Sequence, residues 1–231
     1  MKETENTVAL NELDSAKMLQ SYGIHTVKSE LIDNYRRDTL ERVAAELGFP
    51  VVMKIVSSDI LHKTDVGCVV LNITDIDAME QAYRTITANA ARQVPDAIIQ
   101  GVVVQQMLPK GFEVLLGVST DPQFGQVLMT GLGGTLVELL KAVSMRLVPV
   151  TREDALDMIA ETPLKQACAG LRGVQYDREE ILEALLSLSR MAEENPDITE
   201  VDINPLLLYG DGRKATAVDA VVVRKTNGEM A

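Results

Sequence analysis

The sequence predicts an α+β protein built from two lobes. Helices alternate with strands through the first hundred residues, short apolar β-type segments crowd together from Ile98 onward, and no repeat or low-complexity linker interrupts the chain. The change of texture near residue 100 sets the expected boundary, with residues 8–100 in an N-terminal lobe and 101–225 in a C-terminal lobe. A length of 231 residues suits two lobes that share a cleft.

Taken in order, residues 11–22 carry a weak helical pattern that Asn11 can cap and Gly23 can end. In the next helix Asp38 is the expected N-cap, with Glu41 three places on, a stripe of Val43, Ala44 and Leu47, and a stop at Gly48 and Pro50. Val51-Val52-Met53-Lys54-Ile55-Val56 reads as a buried strand interrupted by one lysine. A polar loop over 57–67 leads to a second strand at 68–73, then to a helix over 75–92 marked by Ile76, Met79, Tyr83 and Ile86. Residues 101–107, 113–119 and 126–130 are three apolar strands joined by turns at Pro109-Lys110-Gly111 and Asp121-Pro122, which suggests an antiparallel meander. Thr151 with Asp154 opens one later helix and Asp177 with Glu180 another. A last hairpin pairs 201–208 with 215–223 across Tyr209-Gly210-Asp211-Gly212.

Composition narrows the function classes. Net charge is −12, aromatic residues make up 3% and there is no Trp, so neither the basic face nor the stacking aromatics of a nucleic-acid binder is visible. No apolar run approaches the roughly 18 residues of a membrane span, and the polar start MKETENTVALNELDSAK has no signal core. A cytoplasmic location is expected. Cys68 and Cys168 are far apart and lack metal-ligand spacing, and with two histidines the chain offers no zinc cluster.

Two segments stand out chemically. Lys54 interrupts an apolar strand, so it either alternates outward or points into a cleft as a point charge for phosphate. The loop after it holds hydroxyls, His62, Lys63 and Gly67; His62 is either a hydrogen-bonded surface residue or a phosphoryl acceptor. In Val201-Asp202-Ile203-Asn204-Pro205, alternation sets Asp202 and Asn204 on one face of a strand. Such an oxygen pair suits Mg²⁺, and a solvated edge would carry the same residues. The partner strand offers Asp219 as a third group. Gly131-Leu132-Gly133-Gly134, before the helical-looking 135–142, can expose N–H groups to an anion, but lacks the spacing of a dinucleotide fold and the lysine of a P-loop.

Together, Tyr22-Gly23-Ile24, residues 47–55, His62-Lys63-Thr64-Asp65-Val66-Gly67, Gly111-Phe112-Glu113, residues 121–125, 131–134 and Asp202-Ile203-Asn204-Pro205-Leu206 resemble the ATP-grasp subunit of ADP-forming acetyl-CoA synthetases. The resemblance runs in order from about residue 10 to about 225. It implies an ATP-grasp fold of two α/β lobes clasping ATP or ADP, with Lys54, Lys63 and Gly67 near the phosphates. It also implies that Gln105, Gln106 and Met107 read adenine through their backbone, that Glu113 binds ribose, and that Asp202, Asn204 and Asp219 hold Mg²⁺. His62 matches a loop histidine that relays phosphate, and a CoA-binding alpha subunit is the implied partner in a hetero-oligomer. One departure is Gly67-Cys68 where the family reads Gly-Gly, and whether a side chain there narrows the loop's approach to phosphate is left open by the sequence. Two other readings stay open: a self-contained ATP-grasp carboxylate–amine ligase, and a non-catalytic nucleotide-binding module.

Overall fold

Leu40, Val43, Ala44 and Leu47 recur at helical spacing, and the helix that carries them, α2 (Arg37–Leu47), buries all four. They pack with Met79, Ala82, Ile86 and Ala90 of α3 (Ile76–Gln93) over strands β3 (Val51–Val56) and β5 (Gly101–Gln106). In the computed structural model, which describes residues 7–57, 59–60, 63–134 and 142–226, these elements form one of two compact units, Val27–Pro109. Its four-stranded sheet runs in the order β2–β5–β3–β4, with β2 at Ser29–Ile32 and β4 at Val69–Ile73, every pair antiparallel.

The other unit takes in the chain up to Thr26 and again from Lys110. Its sheet is also antiparallel and follows the path β1–β11–β9–β6–β7–β8, with β10 (Thr216–Ala217) beside β9. The strands are β1 (Thr7–Ala9), β6 (Phe112–Asp121), β7 (Gly125–Leu132), β8 (Val143–Leu147), β9 (Ile198–Leu208) and β11 (Ala220–Lys225). Helices α1 (Glu12–Ser21), α4 (Arg152–Ala160), α5 (Leu164–Gly170) and α6 (Arg178–Glu194) supply the rest of one core. Val114, Leu116 and Val118 of β6 and Val201 and Ile203 of β9 meet Ile181, Leu182, Leu185 and Leu188 of α6 there. Alternate residues of these strands thus enter this core, and those between them face the other side of the sheet.

Several helix starts follow their local chemistry. Asn11 accepts the Asp14 N–H, Asp75 accepts that of Ala78, and Thr151 and Asp154 complete a reciprocal capping box. Asp38 is not a cap. Arg36 occupies that position without a side-chain cap bond, and the Asp38 carboxylate, two residues too far in, takes the Arg36 guanidinium and the Thr39 N–H.

The expected meander is also corrected. Strand β5 pairs with β2 and β3, while β6 pairs with β7 and β9. The physical reason lies at the turn: the Met107 N–H bonds to Pro50 O, carrying β5 on along β3, and Gly111 lies so close to Leu208 that a Cβ there would meet its carbonyl oxygen at 2.7 Å. Consequently the division falls after Pro109, and α1 belongs with the later residues, so the boundary is not at residue 100. No helix among the described residues is long and apolar enough to cross a membrane.

Candidate active site

The outward face of β9 is built by its alternation. Val201 and Ile203 are buried, Asp202 is exposed and Asn204 half-buried. Strand β11 returns antiparallel with Val221 opposite Asp202, and the Asn204 N–H bonds to Asp219 O at 3.1 Å. Asp219 is thereby held beside Asn204, as the hairpin predicted. Asp202 stays open to solvent, yet protein crowded round its carboxyl, together with the negative charges of Glu200 and Asp219, pushes its pKa above the usual carboxylate range. No salt bridge or hydrogen bond neutralises Asp202 among the described residues.

Glu113 reaches the same face from β6. It shares its parity with Leu115 and Gly117, and Gly117 stands directly opposite Asp202. The Gly-rich segment after β7 crosses over Glu113. Gly133 donates its N–H to Glu113 O at 2.8 Å, and Gly134 donates its own to Asn204 Oδ1 at 2.9 Å. The two N–H groups are thus spent inside the protein, and the expectation that they face an anion is corrected. Residues 135–141, expected as a helix, lie outside the described residues.

The donor set of Asp202, Asn204 and Asp219 fits a hard divalent cation. Mg²⁺ takes oxygen ligands, commonly one or two carboxylates with phosphate and water completing the shell. Among the described residues no group of three or more His, Cys, Asp or Glu side chains could hold a metal ion. The crowding of protein first, and the charges of Glu200 and Asp219 after it, disfavour the Asp202 carboxylate, and a bound cation would offset both.

In the unit Val27–Pro109, Lys54 is half-buried on the sheet face opposite α2 and α3, where Val51, Met53 and Ile55 point. Lys54 pairs with Val103 and Val52 with Gln105, so Gln105 is a diagonal neighbour of Lys54 on that face. The Gln105 side chain is buried. The N–H groups of Gln106 and Met107 are taken by Lys28 O and Pro50 O. Next along, the Leu108 N–H has no partner among the described residues, a donor that sequence reasoning missed because pairing decides which amides are left over.

Lys63 to Gly67 form a tight turn, with the Gly67 N–H on Thr64 O and the Cys68 N–H on Lys63 O. Gly67 has φ of +65°, and its carbonyl accepts Asn89 Nδ2 at 2.7 Å. The Cys68 side chain is fully buried in the core beside Ile86 of α3. The side chain therefore faces the core, and burial raises its thiol pKa. His62 lies outside the described residues.

An ATP-grasp domain model matches residues 2–223. The chain belongs to the ATP-grasp family. It is 42% identical to the beta subunit of ADP-forming acetate–CoA ligase I from Pyrococcus furiosus, across 93% of this chain and 91% of that one. This ATP-grasp chain also matches the solved dinucleotide-forming acetyl-coenzyme A synthetase 1 of Ca. Korarchaeum cryptofilum in complex with coenzyme A and Ca-AMPCP, with a TM-score of 0.87, 38% identity and coverage of 94% and 93%. Another structure of that enzyme contains coenzyme A and Mg-AMPPCP, with a phosphohistidine segment pointing towards the nucleotide binding site; it matches with a TM-score of 0.80 and 35% identity over the same shares of the two chains. Of the longer ADP-forming acetate–CoA ligase I from Archaeoglobus fulgidus, 39% identical over 84% of this chain, the match covers 28%. Within the ATP-grasp family the chain therefore groups with beta subunits of ADP-forming acyl-CoA ligases.

Proposed function

We propose that this chain is the nucleotide-binding subunit of a cytoplasmic ADP-forming acyl-CoA ligase and works with a CoA-binding partner subunit. The full reaction is acyl-CoA + ADP + phosphate ⇌ carboxylate + ATP + CoA. The observation that carries the reading is the gathering of Asp202, Asn204, Asp219 and Glu113 around β9, with the Asp202 carboxyl raised by the protein crowded round it and then by the charges of Glu200 and Asp219. Asp202, Asn204 and Asp219 would hold Mg²⁺, which when bound offsets the charge of the phosphates. Glu113 would take the ribose hydroxyls, and the Leu108 N–H, at the end of the Gln105–Met107 segment, would donate to the adenine edge. Lys54, Lys63 and the Gly67 turn would bind phosphate as point charges and backbone donors.

His62 is the phosphoryl carrier in this reading. A neutral imidazole nitrogen attacks the γ-phosphorus of ATP, an N–P bond forms, the bond to the bridging oxygen breaks, and ADP leaves while the ring proton passes to solvent. The partner then directs phosphate to the carboxylate and CoA to the acyl group. A partner is favoured because the relatives of matching length from Pyrococcus furiosus are the beta subunits of their ligases.

Incubation with γ-labelled ATP and Mg²⁺, with and without a CoA-binding subunit, tests this. Acid-labile label should appear on the wild-type chain and vanish in His62→Ala. Absence of such label from both proteins, or formation of AMP, would overturn the reading.

A further inference from the structure

We propose that the main chain of Gly133 and Gly134 is a positioning element that builds the cation site and the nucleotide site together, by fixing the Asn204 amide oxygen on one side and Glu113 on the other. The inference rests on the reading of Asp202, Asn204 and Asp219 as cation ligands.

Asn204 ends with an oxygen and a nitrogen that differ in what they can bind. The Gly134 N–H at 2.9 Å can be accepted only by the oxygen, so this bond fixes which way the amide faces. A carbonyl oxygen has two acceptor sites, and the second stays available for a cation. Without the N–H, the amide can turn and present its NH₂ group, which repels a cation. Groups that orient a metal ligand in this way are typically worth about 10–100-fold in metal affinity.

The same two residues hold Glu113. The Gly133 N–H ties down the Glu113 carbonyl at 2.8 Å. A Cβ at Gly133 would meet the Glu113–Val114 peptide at 2.8–2.9 Å, and one at Gly134 would overlap the Glu113 carboxylate itself. Gly134 also has φ of +69°, in the left-handed region that favours glycine. A side chain at 134 must therefore shift both the Glu113 carboxylate and the N–H aimed at Asn204. Sites on β6 and β9, remote in sequence, are joined by one loop.

The test is Mn²⁺ binding to the full chain, with and without ADP, in Gly134→Ala, Asn204→Ala and the double variant, with thermal melts as the folding control. Gly134→Ala and Asn204→Ala should each weaken Mn²⁺ binding by about 10–100-fold, and the double variant should be no weaker than the worse single one. Mn²⁺ affinity of Gly134→Ala within about twofold of wild type, or losses that combine in full, would overturn the inference. Normal Mn²⁺ affinity in Asn204→Ala would instead sink the ligand assignment on which it rests. Adding Gly134→Ala to Glu113→Ala, where the overlap is gone, should cost less Mn²⁺ affinity than adding it to wild type; an equal or larger loss there would overturn the coupling of the two sites through this loop.

Discussion

The two ends of the β9–β11 ladder carry acidic residues in opposite circumstances. At one end Asp197 receives Arg224 Nε at 2.6 Å, and the guanidinium holds the Asp197 carboxyl below its usual range. At the other end protein crowds the Asp202 carboxyl, Glu200 and Asp219 add their negative charges, and it is pushed up. The backbone between them is the same antiparallel ladder, and Val201, Ile203 and Val222 are buried along it. One end is neutralised by the chain's own cation. At the other, no salt bridge or hydrogen bond pairs Asp202 among the described residues.

This contrast can be broken first from within the ladder. Ile203, fully buried next to Asp202 at the last pair of the ladder, sits on the inward face. Ile203→Ala should cost about 2–5 kcal/mol of unfolding free energy in a denaturant titration. A loss below about 0.5 kcal/mol would mean that the inward face is not what holds this strand.

Next comes the chemistry of the outward face. Asp202→Ala should lower phosphoryl transfer by about 10²–10³-fold, with unchanged circular dichroism. Asp197→Ala should leave the rate within about twofold, since its charge is already matched by Arg224. Equal losses at both ends would erase the functional distinction.

The smallest effect concerns stability without nucleotide or metal. Asp197→Asn should destabilise by about 0.5 kcal/mol at pH 7, the pair being partly exposed and screened, and the loss should shrink in high salt. Asp202→Asn should be neutral or stabilising, because it removes a repelled charge. The pH dependence has a definite sign. The folded-state pKa of Asp197 is depressed, so its stabilising contribution is present above the unfolded value near about 4 and is lost as pH falls through the folded one. Acid melts of wild type should therefore lose this contribution below about pH 4, and melts of Asp197→Asn should not.

Much of this site was legible in the sequence because it depends on period-two alternation. Asp202 and Asn204 face outward for the same reason that Val201 and Ile203 face inward, and a short hairpin was enough to bring Asp219 alongside. The capping box at Thr151 and Asp154 was legible for a similar reason, since both partners lie within one turn. Asp38 shows the limit of that reasoning: a residue of capping type three before Glu41 still entered the first turn, because Arg36 offered it a guanidinium. Strands β2 and β8 went unread, being short edge strands with weak patterns of their own.

What the sequence determined alone was the set of faces: which residues of each strand and helix turn inward, and which polar groups are left outside. These are local properties, set by the backbone period and by side-chain type. Only the tertiary structure decided the partners. It gave β5 to the sheet of Val27–Pro109, turned the Cys68 thiol into a core, and spent the Gly133 and Gly134 N–H groups on Glu113 and Asn204. Each outcome joins residues far apart in the chain. The destination of a hydrogen bond between distant segments is fixed by packing, which no local pattern encodes.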